Sequence, residues 1–261
     1  MILPVARYLA RDDGEQLAYI NKPGDRLGIY FLPGHQSNMR GKKSEAIYQL
    51  CEEMNLEYTA IDYYGHGESS ISDDRKGTIG RWKDDAIHVL DRVTANPKQL
   101  LVGSSMGGWI SWLVMRERKE RVAGVLNIAT APDFTRQLCQ KIDIDVDLSA
   151  QMSSRGYSDI PTVYNEQGYY RIYDEFLHEA ECHFIFSNET FDYFNVDIPV
   201  SLLHGKNDMD IDYKWSVRMF NALSTKDKDL VLIESGDHRL SKPEEINYLT
   251  RSLRKIISKI I

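Results

Sequence analysis

Apolar runs alternate along the chain with stretches of helical spacing. ARYLARDDGEQLAYI alternates apolar and polar residues on either side of Asp13-Gly14, the pattern of a β-hairpin. LGIYFLPG (27–34) is a continuous apolar run, as expected for a strand covered on both faces. SEAIYQLCEEMN (44–55) has helical spacing, and LEYTAIDYYG (56–65) reads as the next strand. WKDDAIHVLDRVT (82–94) places Ala86, Val89, Leu90 and Val93 on one helix face. QLLVG (99–103) is again a strand. The Trp-Ile-Ser-Trp-Leu-Val-Met-Arg run beyond it predicts an amphipathic helix reaching about Glu120. RVAGVLNIA (121–129), IPVSLLHG (198–205) and DLVLIESG (229–236) are further strands, with a helix around 213–223 between the last two. A final helix opens at Ser241-Lys-Pro-Glu-Glu, where Ser241 would cap and Glu244 would complete a capping box.

This alternation predicts an α/β fold: a mostly parallel sheet flanked by helices, with the hairpin as an antiparallel addition. Residues 132–195 break the rhythm. They are rich in tyrosine and acidic residues and show no clean parallel strand. They are expected to form a lid inserted into a core built from 1–131 and 196–261.

Open α/β sheets bind ligands beyond the C-terminal ends of their strands. There the sequence supplies Pro33-Gly34-His35-Gln36-Ser37-Asn38, Asp62-Tyr-Tyr-Gly65-His66-Gly67-Glu-Ser69, Gly103-Ser-Ser-Met-Gly-Gly108, His204-Gly205-Lys-Asn-Asp208 and Ser235-Gly236-Asp237-His238. Gly103-x-Ser105-x-Gly107 between a strand and a helix has the form of a nucleophile elbow, in which the flanking glycines leave room for neighbouring backbone. Taken alone, the motif is also compatible with a Ser/Gly-rich turn. With Asp208 and His238 it completes the chain order Ser…Asp…His. A serine hydroxyl needs an adjacent base, histidine suits that task near neutral pH, and a carboxylate holds the imidazole in its working tautomer. An oxyanion would be met by the backbone N–H groups of Met106 and of His35.

The chain resembles the α/β-hydrolase superfamily throughout. More narrowly it resembles the family of the mitochondrial palmitoyl-protein thioesterase, which also cleaves acyl glucuronides. FLPGHQSNMRGKKSEAI, IDYYGHGESS, IGRWKDDAIHVLD, LLVGSSMGGWI, IATAPDF, LLHGKNDMDID and SGDHRL carry the likeness. The resemblance implies a Ser–His–Asp hydrolase of thioesters and esters that holds an acyl group under a lid. Ser105 would be the nucleophile, Asp208 the acid and His238 the base.

Other residues have less demanding readings. Ser104 packs locally, and His204 supports the turn that carries Asp208. Asp62 braces the Gly65–Ser69 turn, and Trp109 and Trp112 pack their helix on the sheet. Tyr157, Tyr164, Tyr169, Tyr170, Tyr173, Phe176 and Leu177 are candidates to line an acyl groove, although they also suit the interior of a lid. Asp143-x-Asp145-x-Asp147 lacks the glycine and the glutamate of a calcium loop and reads as a solvated face. Gly65-His-Gly67 is too short for a phosphate loop, and no Cys/His group has zinc spacing, so neither a metal nor a cofactor is expected.

At 261 residues and net charge −7, the chain has no basic stripe for nucleic acid and no apolar run long enough to span a membrane. Its three cysteines, Cys51, Cys139 and Cys182, read as reduced thiols. No signal or transit peptide is visible, which points to a cytoplasmic bacterial relative. The expected partner is an acyl ester or thioester, including an acylated protein. A small-molecule carboxylesterase, or a ligand-binding module on a hydrolase scaffold, would share the same fold.

Overall fold

Ten strands and eight α-helices appear in the computed structural model, which describes residues 3–162, 167–186 and 194–261. The first six strands are β1 (Arg7–Ala10), β2 (Gln16–Lys22), β3 (Gly28–Leu32), β4 (Glu57–Ile61), β5 (Gln99–Ser104) and β6 (Val122–Ile128). After a long excursion come β9 (Val200–Gly205) and β10 (Lys228–Ile233). These strands form one eight-stranded sheet in the order β1-β2-β4-β3-β5-β6-β9-β10. Every pairing from β4 to β10 is parallel, while β1 and β2 add antiparallel at the edge. The hairpin turns at Gly14, whose φ of +87° a residue with a Cβ adopts only under strain.

Side chains alternate across the pleat, so each strand feeds two cores. Ile29 and Phe31 face one side with Ile47 and Leu50 of α1 (Lys42–Met54) and Leu253 and Ile257 of α8 (Pro243–Ile260). Tyr30 and Leu32 face the other side with Trp82 and Val89 of α2 (Ile79–Val93) and with α3 (Met106–Glu117). Helix α7 (Lys214–Ala222) joins that second side through Met219. Strands β3, β5, β6 and β9 are buried along their full length, which is why apolar residues dominate their sequences.

Two local expectations change. Helix α3 is not amphipathic: Met106 through Met115 are all buried. The sheet covers one flank, and residues after β6 cover the other, where the Trp109 indole donates to the His183 carbonyl at 2.9 Å. The cap of α8 lies one residue later than expected. Lys242 is the N-cap, and the Glu245 carboxylate accepts its backbone N–H at 2.8 Å, while the Ser241 hydroxyl donates to the Arg239 carbonyl.

Between β6 and β9 the chain leaves the sheet. It forms α4 (Thr135–Ile144), α5 (Val146–Arg155), the antiparallel pair β7 (Tyr157–Pro161) and β8 (Tyr169–Tyr173), and α6 (Asp174–Glu181). The buried Asp133 carboxylate ties the two ends of this excursion together, accepting the N–H groups of Ile185 and Phe186 at 2.8 and 2.9 Å. Asp145 accepts the N–H groups of Asp147 and Leu148 and so caps α5, which gives the Asp143–Asp147 stretch a structural use.

Candidate active site

Strand β5 ends against α3 in a turn too tight for ordinary residues. Ser105 sits there at φ 54°, ψ −119°, a strained conformation for a side chain with a Cβ. The glycines around it are dictated by contact. A Cβ on Gly103 would lie 2.4 Å from the Gly107 carbonyl oxygen, and one on Gly107 would lie 2.0 Å from the Leu32 carbonyl oxygen. With those Cβ atoms absent, β3 and β5 close up and Ser105 stands at the C-terminal end of the sheet.

His238 follows β10, three strands away from β5. Its Nε2 lies 2.9 Å from Ser105 Oγ, and its Nδ1 lies 2.7 Å from Asp208 Oδ2. Asp208 follows β9 and is fully buried at its side chain. Burial alone would raise its carboxyl, but the hydrogen bonds from His204 and His238 outweigh it. Together with the Ile211 N–H they hold Asp208 well below the usual carboxylate range. The second oxygen accepts the N–H groups of Asp210 and Ile211 at 2.9 and 2.8 Å. Asp208 therefore stays ionised and oriented beside His238.

His204 is more than a turn support. Its Nε2 reaches Asp208 Oδ2 and the Ile211 carbonyl, both at 3.0 Å, so that nitrogen carries the proton. Its Nδ1 then accepts the Ser216 hydroxyl at 2.7 Å. The fully buried imidazole holds the acid from behind while His238 faces it from the front. The nearest potential metal-ligating group among the described residues is Asp208, Asp210 and His238. Its two central members are already spent on each other.

The loop after β3 is held in a similar way. Ser37 N–H bonds the Gly34 carbonyl, and Gln36 takes a positive φ of 50°. The Gln36 N–H donates to His66 Nε2 at 3.0 Å, while His66 Nδ1 donates to the Tyr64 carbonyl at 3.1 Å. Asp62 accepts Met39 N–H at 2.7 Å and Glu68 N–H at 2.9 Å, so it braces this loop as well as its own turn. Burial lowers His35 to about 3, with nearby His66 adding to the effect. Burial likewise lowers His66 to about 4 against the opposing Tyr64 bond, so both rings are neutral. Among the described residues, neither the His35 N–H nor the Met106 N–H is drawn into a hydrogen bond. A Cβ on Gly34 would lie 3.2 Å from that of Ser105, so the two loops meet at the hydroxyl.

A cavity of about 560 Å³ opens above Ser105 and His238. The excursion between β6 and β9 supplies its apolar wall through Phe134, Leu138, Ile160, Pro161, Tyr170 and Ile172. Of the expected aromatic groove residues, Tyr170 lines this cavity, while others fall elsewhere. Tyr169, Tyr173 and Phe176 line a neighbouring hollow of about 320 Å³ beside His66 and Trp82. Tyr157 packs on Tyr173 and under the Arg171 guanidinium, away from the cavity. The cause is strand register: along β8 Tyr170 and Ile172 point one way and Tyr169, Arg171 and Tyr173 the other. Tyr164 lies outside the described residues.

The family model described as serine aminopeptidase, S33, matches residues 29–162. Over 253 residues the chain is 33% identical to the mouse mitochondrial palmitoyl-protein thioesterase ABHD10, spanning 97% of this chain and 82% of that one. The chain belongs to the α/β-hydrolase superfamily. Within it, the chain is a serine hydrolase of the ABHD10 family. The solved structure of mouse α/β hydrolase domain-containing protein 10 superposes with a TM-score of 0.86 at 32% identity, covering 99% of this chain and 100% of that one. A putative hydrolase from Agrobacterium vitis S4 superposes equally well at 29% identity, covering 97% and 98%.

Sequence reasoning placed Ser105, His238 and Asp208 at one end of the sheet, and the structure brings the three within hydrogen-bond reach of one another. It missed the bracing role of His66 toward Gln36 and the direct bond from His204 to Asp208. The one available signal was that both histidines sit beside glycine at a strand end. It also missed Ile172, for which the sequence offers no signal without the register, and it named Tyr170 without distinguishing it from its neighbours.

Proposed function

We propose that this α/β hydrolase cleaves acyl thioesters and esters through a Ser105–His238–Asp208 triad and an acyl-enzyme. The observation that carries the reading is the unbroken hydrogen-bond path from Ser105 Oγ through the imidazole to an ionised Asp208. His238 takes the Ser105 proton as Oγ attacks the carbonyl, and Asp208 stabilises the imidazolium that forms. The His35 and Met106 N–H groups receive the developing oxyanion. The tetrahedral intermediate collapses with loss of the thiol or alcohol, which His238 protonates. Water, deprotonated by His238, then releases the acid and regenerates Ser105.

Residues 132–195 act as the lid in this reading, and their apolar cavity wall takes the acyl chain. Thioester preference is supported by the ABHD10 relatives, which are named as palmitoyl-protein thioesterases. Those relatives are also named as mitochondrial, which points away from the cytoplasmic expectation. Among the described residues no helix is long and apolar enough to cross a membrane.

The test is a series of p-nitrophenyl esters and acyl thioesters of increasing chain length, run on wild type and Ser105→Ala. Turnover should fall on the order of 10⁶-fold in the variant, and wild-type activity should favour the longer thioesters. A Ser105-dependent optimum at acetyl esters would instead indicate a small-molecule carboxylesterase.

A further inference from the structure

The cavity walls differ in charge from the rest of the molecule. The chain carries a net charge of −7, yet among the described residues the cavity is lined by Lys42, Lys43, Lys141 and Arg239 against a single carboxylate, Asp210. The cations are grouped. Arg239 directly follows His238, and the Lys43 ammonium bonds the Arg239 carbonyl and the Ser241 hydroxyl, both neutral acceptors. Lys42 stands beside it, and Lys141 reaches in from α4. Among the described residues, Lys42 and Lys141 have no carboxylate partner. The 13-residue helix α1 begins at this same wall, and its N-cap, Gly41, contributes no side-chain cap, so its positive end also faces the cavity.

Position relative to the triad gives this patch a meaning. The base that accepts the serine proton returns it to the leaving group, so the leaving group lies on the histidine side. Arg239 adjoins His238 in the chain and the Lys43 ammonium bonds its carbonyl, so this part of the patch lies beside the base, while Lys141 stands about one turn beyond Leu138 on α4, at the apolar wall of Phe134, Leu138, Ile160 and Ile172. Cations outnumber carboxylates among the described lining residues, so the cavity favours a leaving group that carries negative charge. A leaving group with one carboxylate would use only part of that excess.

Taking Ser105 as the nucleophile, we infer that the natural substrate is an acyl thioester whose leaving thiol carries phosphate groups, as coenzyme A does. The thioester C–S bond breaks as the Ser105 acyl bond forms. The thiolate takes the proton from His238, and water yields the free acid; no oxidant or further reactant enters. The phosphates lie against Lys42, Lys43, Arg239 and Lys141. Burial, reinforced by nearby Arg239 and only partly opposed by Asp237 and Glu245, lowers Lys43 to about 8, and an adjacent phosphate would raise it again.

The experiment uses the intact protein and one acyl chain on four leaving groups: coenzyme A, unphosphorylated pantetheine, a sugar acid bearing one carboxylate, and p-nitrophenol. Coenzyme A itself serves as a competing probe against the p-nitrophenyl ester. At low salt kcat/KM for the coenzyme A thioester should exceed that for the pantetheine thioester by about tenfold or more, and the margin should shrink as salt screens the phosphates. The exposed pair Lys42→Gln/Lys141→Gln should reduce this ratio about tenfold, roughly what two partly solvated ion pairs are worth. Free coenzyme A should inhibit competitively at concentrations where pantetheine does not. Equal rates on the two thioesters, a ratio unmoved by the double substitution, or faster cleavage of the carboxylate-bearing ester would overturn the inference while p-nitrophenyl ester turnover kept the serine-hydrolase reading intact. Loss of p-nitrophenyl ester turnover in wild type would remove both.

Discussion

Two strand-end loops flank Ser105, and each is organised by a buried carboxylate. After β4, Asp62 accepts only two backbone N–H groups, and burial pushes it up to about 6. After β9, Asp208 is equally enclosed but also accepts hydrogen bonds from His204 and His238, which hold it well below the usual carboxylate range. The difference is the imidazole donors. Backbone amides alone do not repay the removal of a carboxylate from water, whereas amides plus imidazoles do. Asp62 can thus brace a loop in either protonation state. Asp208 must remain an anion, because only an anion stabilises the imidazolium of His238 during acyl transfer.

The sharpest way to break this comparison is to neutralise each carboxylate in turn. Asp208→Asn should lower kcat by about 10⁴, since the amide misorients His238. Asp62→Asn should cost much less in kcat and mainly loosen the loop that holds His35. Steady-state kinetics on one ester reads both. A comparable loss from the two variants would mean that Asp62 shares the catalytic charge.

The next effect concerns His204. Replacing it with Ala removes a donor to a charged oxygen, worth about 1.5–3 kcal/mol. kcat should fall roughly ten- to a hundredfold, and His204→Gln, which keeps an N–H, should recover part of it. The acid limb of the pH–kcat profile should shift in His204→Ala as well, a change that a purely structural defect would not produce.

Smaller effects appear in stability, with opposite pH slopes. Asp62 has a folded pKa above its unfolded value. Its stabilisation relative to Asp62→Asn is full below the usual carboxylate pKa and is lost as pH rises through about 6. Asp208 has a depressed folded pKa, so its stabilisation relative to Asp208→Asn is present above the usual carboxylate pKa and is lost as pH falls below it. Urea midpoints of wild type and both variants from pH 3 to 7 should therefore diverge in opposite directions, by about 1 kcal/mol per pH unit within each window. Slopes of the same sign would undo the contrast. His66 offers a third case. Its folded pKa is about 4, so wild type should lose stability relative to His66→Gln as pH falls below about 6.5.

The core was legible because its constraints are local. Gly103 and Gly107 are forced by close backbone contacts around the elbow, and the buried strands declare themselves by their largely apolar sequences. The residues between β6 and β9 were not legible in this way. YYRIY of β8 carries tyrosine on both faces, since one lines the cavity and the other packs toward Tyr157 and Asp74, so the pattern does not reveal which tyrosine faces substrate. Helix α3 was misread for a related reason. Its second covered flank comes from residues distant in sequence, and composition alone does not show which neighbours will arrive. The cap of α8 moved by one residue because Glu245, rather than Glu244, turns back to the Lys242 N–H.

The most direct test of the account is to trap the acyl-enzyme. Wild type mixed with a slowly hydrolysed acyl thioester, quenched in acid and digested, should carry the acyl mass on the peptide containing Ser105, and Ser105→Ala should carry none. An acyl group found instead on Ser104 or on Cys51, Cys139 or Cys182, or turnover that survives in Ser105→Ala, would contradict it.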